Sequence, residues 1–354
     1  MRQPDPAHTA TDKILKKIEK EISKEYRQAH EEVSAKLADY LSRYEKKNET
    51  WLRWVREGKK TKEEYQQWAK GQILIGKRWE EMKETLAADY LNAHDIAKSI
   101  VKGYIPEVYA LNHNYATFEV EKGSLLDTSY TLYSRESVEK MFRDNEKLYK
   151  KPGELIQKQI REGTLKKWEK RTIQSVMTQG ILQGESIVAL TKRLEKVTGG
   201  EHSAAIRNAR TLITGVQNAG RVDAVKRAND MGIRCKKQWL ATLDTRTRHW
   251  HRELDGVAVP VDDTFENEMG KIRFPGDPKA DGANIYNCRC TLVTQLEGFE
   301  IDLSDTKIRH DKNLEGMTYE QWKESRRTTS NPLTMPEEKA ATAKAAYIWE
   351  YANL

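Results

Sequence analysis

Residues 244–256, DTRTRHWHRELDG, place three arginines, two histidines and two aspartates in thirteen positions. Downstream, residues 287–290 read NCRC and hold Cys288 and Cys290, two of the chain's three cysteines. Side chains of these types could do three kinds of work. They could hold a metal: His251, Cys288 and Cys290, with His249 or Asp255 as fourth donor, offer the nitrogen, sulfur and oxygen atoms that tetrahedral zinc accepts. Cysteines two apart share one face of a strand, so both thiolates could reach one ion, although tetrahedral sites more often leave two residues between ligands. They could instead brace a fold. Cys288 and Cys290 would then be small buried side chains, and Asp244, Arg246, Arg248 and Asp255 a structural clasp in loops that lack regular ladders. Or they could catalyse: a histidine near an aspartate, with arginines to stabilise an anion, suits a metal-dependent nuclease centred on His251. No cluster of carboxylates for a divalent ion and no glycine-rich phosphate loop accompanies that set, so no residue is assigned a catalytic role.

For these stretches to meet, the chain around them must form a small sheet. After Gly232 the apolar period changes from 3.6 to 2: Ile233, Cys235, Lys237, Trp239 and Ala241 alternate with their neighbours, which predicts a strand with one buried face. That strand delivers Asp244 into a turn, TRTRHWH starts a helical turn, and Asp255-Gly256 ends it. CRCTLVTQL predicts a second strand. If it pairs beside the first, the histidines and the cysteines share one edge of one sheet. Between them, GVAVPV and GKIRFPGDP read as edge strands or a meander.

Upstream the pattern is helical. Leu15, Ile18, Ile22, Tyr26, Ala29, Val33, Leu37, Tyr40 and Tyr44 recur at steps of three and four, giving a long amphipathic helix with a Lys/Glu outer face. Gly58, then Thr61 with Glu64 at capping-box spacing, predicts a helical hairpin whose Trp and Tyr residues pack internally. A third helix is expected over 76–102. Gly103 and Pro106 then suggest a connector with a short hairpin. Helices resume at a Ser134 cap and after Pro152-Gly153. One of them closes at Gly199-Gly200, and the next runs to Gly232 through Ile206, Leu212, Ile213, Val216, Ala219, Val222 and Val225. In the tail, Thr318 with Gln321 and Thr334 with Glu337 imply two short helices. The fold class expected is α+β: a mostly helical N-terminal half with long amphipathic helices, a small mixed α/β module, and a short helical tail. The segments expected are 1–150, 151–232, 233–298 and 299–354.

The chain's 354 residues, with 32% charged and 38% hydrophobic side chains, suit more than one domain and long solvated helices. A net charge of +7 favours polyanionic partners such as DNA, weakly. No apolar run is long enough to span a membrane and the first residues lack a signal-peptide core, so the expectation is cytosolic synthesis with no membrane partner. An odd number of cysteines, two separated by one residue, favours metal ligation or burial over a disulfide framework.

The order of these pieces is informative. NARTLITGVQNAGRVDAVKRAND, then KKQWLATLDTRTRHWHRELDG, FPGDP and NCRC resemble the phage Mu F-like minor head proteins, the head-morphogenesis family of tailed phages. The matching span runs from Arg207 to Val293. The ordered set Asp244, Arg246, His251, Asp255-Gly256, Pro275, Asn287, Cys288 and Cys290 carries the likeness. One departure is that Leu212 and Ile213 follow Arg210-Thr211 where family members commonly have an acidic residue. The resemblance implies a structural component of the virion or procapsid, present in few copies. Its expected partners are the phage portal protein and capsid or scaffold proteins, with non-specific contact to double-stranded DNA. It would lie in the host cytoplasm during assembly and then in the head interior or at the portal vertex. No enzymatic activity is implied; some relatives carry an extra toxin or nuclease domain, and the short tail argues against one here. No cofactor other than zinc is suggested.

Overall fold

The structure, a computed structural model, describes residues 5–143, 167–299 and 308–329. Helices α1 (Pro6–Ser42), α2 (Glu45–Arg56), α3 (Lys62–Gln72) and α4 (Lys77–Ser124) precede a short strand β1 (Leu126–Asp127) and α5 (Arg135–Arg143). Helices α6 (Lys167–Leu182) and α7 (Ile187–Asp230) lead into β2 (Ile233–Leu240), α8 (His249–Glu253), β3 (Ala258–Pro260), β4 (Phe265–Asn267) and β5 (Gly270–Ile272). Helix α9 (Gly282–Ile285), β6 (Thr291–Phe299), β7 (Arg309–His310), a 3₁₀ turn and α10 (Tyr319–Thr329) complete it. The architecture is α+β, as expected. Among the described residues no helix is long and apolar enough to cross a membrane. The turn signals at Pro152-Gly153 and the helix expected from Thr334 lie outside the described residues.

Where the sequence suggested four consecutive segments, the chain packs as two units, each built from separated stretches. One comprises residues 1–18, 101–150 and 207–354, the other 19–100 and 151–206. Two expected breaks are absent. Gly103 and Pro106 lie inside α4. A proline within a helix loses one backbone hydrogen bond and crowds the preceding turn. Here an unbroken buried stripe, Val101, Ile105, Val108, Asn112, Ala116 and Val120, holds the helix through that position. Gly103 faces open space. Gly199-Gly200 likewise falls within α7 rather than closing it. Buried residues flank the pair, Leu194 before it and Ala205 after it, so packing overrides the weak helical preference of glycine.

The second unit packs Val33, Leu37 and Tyr40 of α1 with Tyr65, Ala69, Leu86, Met177, Ile181, Leu190 and Leu194. The tryptophan pattern is internal packing, with Trp51 and Trp68 stacked at 5.5 Å. Tyr65 is fixed by its hydroxyl, which donates to the carbonyl of Ile181 at 3.1 Å. The capping box at α3 is complete: the Glu64 amide donates to Thr61 Oγ1 at 3.1 Å and the Thr61 amide to Glu64 Oε2 at 2.9 Å. Thr61→Ala is therefore expected to cost about 1 kcal/mol, read as a lower urea midpoint of the full chain. No change there would mean that α3 is held by packing alone.

In the first unit β3, β2 and β6 form an antiparallel sheet in that order. The register sets Trp239 opposite Leu292 and Leu240 opposite Thr291. The alternation read from the sequence is the burial pattern found: Ile233, Cys235, Lys237, Trp239 and Ala241 are all buried. Lys237 is tolerated there because its ammonium donates to the carbonyls of Val261 and Asp263 at 2.8 and 2.6 Å. Strands β4 and β5 make a separate hairpin.

Candidate functional site

The β2–β6 pairing brings the two chemistry-bearing stretches together. His251 is on the one-turn helix α8 and the cysteines immediately precede β6. His251 Nδ1 lies 3.6 Å from Cys288 Sγ and 3.6 Å from Cys290 Sγ. All three side chains are at most 3% exposed, and their ligand atoms fall within 4.8 Å of one another. The other ring nitrogen, Nε2, donates to Asn284 Oδ1 at 3.0 Å. Asn284 is fully buried and its Oδ1 also accepts from Asn267 Nδ2 at 3.1 Å. The indole of Trp239 packs edge-on against the imidazole, centroids 5.3 Å apart. The Cys288 contact, against burial, and then His251 hold the Cys290 thiol below its usual value. The same contact together with burial holds Cys288 well above it.

The remaining site residues go elsewhere. His249 is exposed and its Nε2 faces Glu268 Oε1 at 2.7 Å, because the next residue but one on a single helical turn points to a different side. Asp255 turns back to accept the amide of Ala241 at 2.9 Å. Neither joins the sulfurs. Asp244 is gripped by Arg289, whose Nη1 and Nη2 reach its two oxygens at 2.5 and 2.7 Å. That hydrogen bonding holds the Asp244 carboxyl well below the usual carboxylate range. Arg246 donates its backbone amide to Asp244 at 2.9 Å, and its largely exposed guanidinium holds Nε 4.0 Å from Asp244 Oδ2. Arg248 donates to the carbonyl of Tyr286 at 2.5 Å, and Arg252 to that of Asp244 at 2.8 Å. The short ion pair of Asp244 is with Arg289, while Arg248 and Asp255 bond backbone groups outside the 244–256 stretch. The place of Arg289 between two inward cysteines puts it on the opposite face, which period two alone could have indicated.

A second feature is a buried polar stripe on α7. Thr214, Gln217, Asn218 and Arg221, at helical spacing, are each at most 5% exposed. Thr214 Oγ1 donates to the Cys288 carbonyl at 2.9 Å, and Gln217 Nε2 to Thr291 Oγ1 at 2.6 Å. Asn218 Oδ1 accepts the Leu292 amide at 2.9 Å while its amide group donates to the Pro275 carbonyl at 3.1 Å. Arg221 donates to the Leu292 carbonyl at 2.7 Å. The helix thus satisfies backbone groups along the segment that carries the cysteines, where no regular ladder does so. The FPGDP loop docks on the same helix: the backbones of Gly215 and Gly276 touch. Asp277 fixes that loop by accepting the amides of Arg273 and Lys279, both at 3.0 Å.

Chemically the cluster can hold a metal or cross-brace loops. A buried His251 bonded through both ring nitrogens is not placed to take a proton from a substrate in solvent.

Comparison with known proteins gives a family profile and curated relatives of two different kinds. Residues 171–293 match the family profile described as Phage Mu protein F like protein, a span that begins upstream of the Arg207 limit read from motifs. The chain is 31% identical to the minor head protein GP7 of Bacillus phage SPP1 over 164 residues, 44% of this chain and 51% of that protein. It is 25% identical to an NAD(+)–arginine ADP-ribosyltransferase, EFV, of Enterococcus faecalis over 240 residues, 66% of this chain and 46% of that protein. The chain therefore spans about half the length of the curated relatives it matches. No solved structure matches.

Proposed function

We propose, from the match of residues 171–293 to the Phage Mu protein F like profile, that the protein is a minor head component. On this reading it joins the assembling procapsid through contacts to portal and capsid or scaffold subunits and remains in the virion. The observation that carries it is the match to the SPP1 minor head protein, which covers 44% of this chain. A bracing rather than a catalytic role is supported by the burial of the site's histidine and both cysteines, and by the bonds of Arg248, Arg252 and Arg289 to a carboxylate or backbone carbonyls. The transferase activity in the name of the enterococcal relative is not carried over, since less than half of that protein is matched. The net charge of +7 supports sequence-independent contact with DNA phosphates.

Tagged protein made during phage growth is expected to co-sediment with procapsids and mature heads and to co-purify with the portal protein. Its absence from purified heads would overturn the proposal. Binding to unrelated DNA duplexes is expected to be of equal strength and to weaken steeply as salt rises. No binding at low salt removes the DNA contact but leaves the head assignment standing.

A further inference from the structure

We propose that His251, Cys288 and Cys290 form a structural zinc site, with His251 binding through Nδ1. Three independent observations converge on it. The first is distance. In tetrahedral coordination a nitrogen and a sulfur ligand lie about 3.6 Å apart, given Zn–N and Zn–S bonds of about 2.0 and 2.3 Å. Both His251–cysteine separations are 3.6 Å. The nitrogen is thus placed equally from two sulfurs, as one shared ion requires.

The second is the support behind the histidine. A zinc-bound imidazole directs its other nitrogen to an oxygen that fixes ring orientation and tautomer. Asn284 Oδ1 does this to Nε2 at 3.0 Å, itself held by Asn267. Because that oxygen can only accept, Nε2 carries the hydrogen and Nδ1 presents a lone pair towards the sulfurs. A hydrogen-bonded core histidine would have no need of two sulfurs on that side.

The third is charge. Two thiolates and a neutral imidazole around Zn²⁺ sum to zero, so the ion makes burial of both sulfurs at their ligating distance compatible with a dry interior. The Cys290 amide also points to Cys288 Sγ at 3.4 Å, a contact that favours a thiolate there. Among the described residues no fourth histidine, cysteine or carboxylate joins the group, so these three side chains are the protein ligands. The role is bracing: the ion would tie α8 to the segment that opens β6. This is independent of the head assignment, because it concerns how the module is held.

The test uses the full chain, made in a reducing cytosol and purified without chelator. Elemental analysis is expected to give one zinc per chain. Replacement by cobalt should produce the thiolate-to-metal charge-transfer and visible d–d bands of a tetrahedral site with sulfur ligands. A strong chelator should lower the melting temperature, and added zinc should restore it. Cys288→Ser and His251→Gln should lose the metal, whereas Cys235→Ser, which alters the cysteine outside the group, should retain it. Asn284→Ala should keep the site but weaken zinc binding about 10–100-fold. Metal-free wild-type protein whose melting temperature ignores both chelator and zinc would overturn the proposal even if every variant misfolds. A Cys288–Cys290 disulfide in that same protein would also overturn it.

Discussion

Gly276→Ala is expected to cost about 2–6 kcal/mol, enough to unfold much of the protein at ordinary temperature given typical stabilities of about 5–15 kcal/mol. Two effects combine at this position. Its φ of +79° is a conformation that side chains with a Cβ rarely adopt, and a Cβ there would meet Gly215 N at 2.5 Å and Gly215 Cα at 2.8 Å. Those are backbone atoms of α7, so no rotamer change can relieve the overlap. Two other glycines separate the contributions. Gly256 has φ +82° but no atom within reach, so Gly256→Ala carries only the backbone strain and should cost about 1 kcal/mol. Gly215 is helical, and its Cβ would meet the Gly276 carbonyl oxygen at 2.6 Å. Gly215→Ala therefore carries the clash without the strain, offset by about 1 kcal/mol of helical preference. The expected order of loss in urea midpoint is Gly276, then Gly215, then Gly256. Equal losses at Gly276 and Gly256 would mean that the loop does not press on the helix.

How much of this was legible in the sequence depended on whether the deciding force was local. The strand from Ile233 to Leu240 was readable, Lys237 included, because alternation is a property of adjacent residues. So were the caps at Thr61, Ser134 and Thr318, where a side chain bonds an amide three residues on. The breaks expected at Gly103-Pro106 and Gly199-Gly200 were misread because each residue's intrinsic preference is worth only a few kcal/mol, less than the burial of a continuous stripe. In the site, the meeting of His251 with Cys288 and Cys290 followed from strand pairing alone. His249 and Asp255 were assigned by proximity in sequence, which does not decide direction on a short helix or at a turn. Arg289 pairs with a carboxylate 45 residues away, a partner that local spacing does not name.

The polar stripe on α7 is buried beside an apolar one. Its apolar residues Val216, Ala219, Val222 and Val225 were read as the helix's buried face, which they are. The sequence gives no equally direct sign that Thr214, Gln217, Asn218 and Arg221 are buried too, since polar residues at helical spacing normally face solvent. The sign that exists is the composition around them. The stretch TGVQNAGRVDAV has small or apolar residues on its other faces, so no face is left for the usual run of Lys and Glu. A helix lacking a charged outer surface is surrounded, and its polar residues must then bond to something inside.

The buried guanidinium on that stripe should show the largest electrostatic effect. Arg221 is 2% exposed and its Nη1 lies 2.6 Å from Asp5 Oδ2. It also donates to Asn112 Oδ1 at 3.0 Å and to the Leu292 carbonyl, and it lies over the Tyr115 ring. Asp5 in turn caps α1 by accepting the His8 amide at 2.9 Å, with Pro6 at the first helical position. Arg221→Met is expected to cost about 3–5 kcal/mol, because it leaves a buried carboxylate and a buried carbonyl without their donor. Asp5→Asn strands the opposite charge and should cost less, since the amide still accepts a hydrogen bond. Changing both, Asp5→Leu with Arg221→Met, should recover part of the loss, as removing a whole buried pair costs less than removing half of it. The pH dependence identifies the carboxylate. Burial alone would raise the Asp5 pKa, but the charge and hydrogen bonds of Arg221, with the His8 amide, bring it below 3.8. A folded value below the unfolded one means that the stabilisation is present above about pH 4 and lost as the pH falls through the folded value. The gap in melting temperature between wild type and Asp5→Asn should therefore be wide at pH 7 and close as the pH drops below 3.8. A gap that stays constant to the lowest pH at which the protein folds would show that the ion pair contributes through shape and hydrogen bonding alone, not through charge.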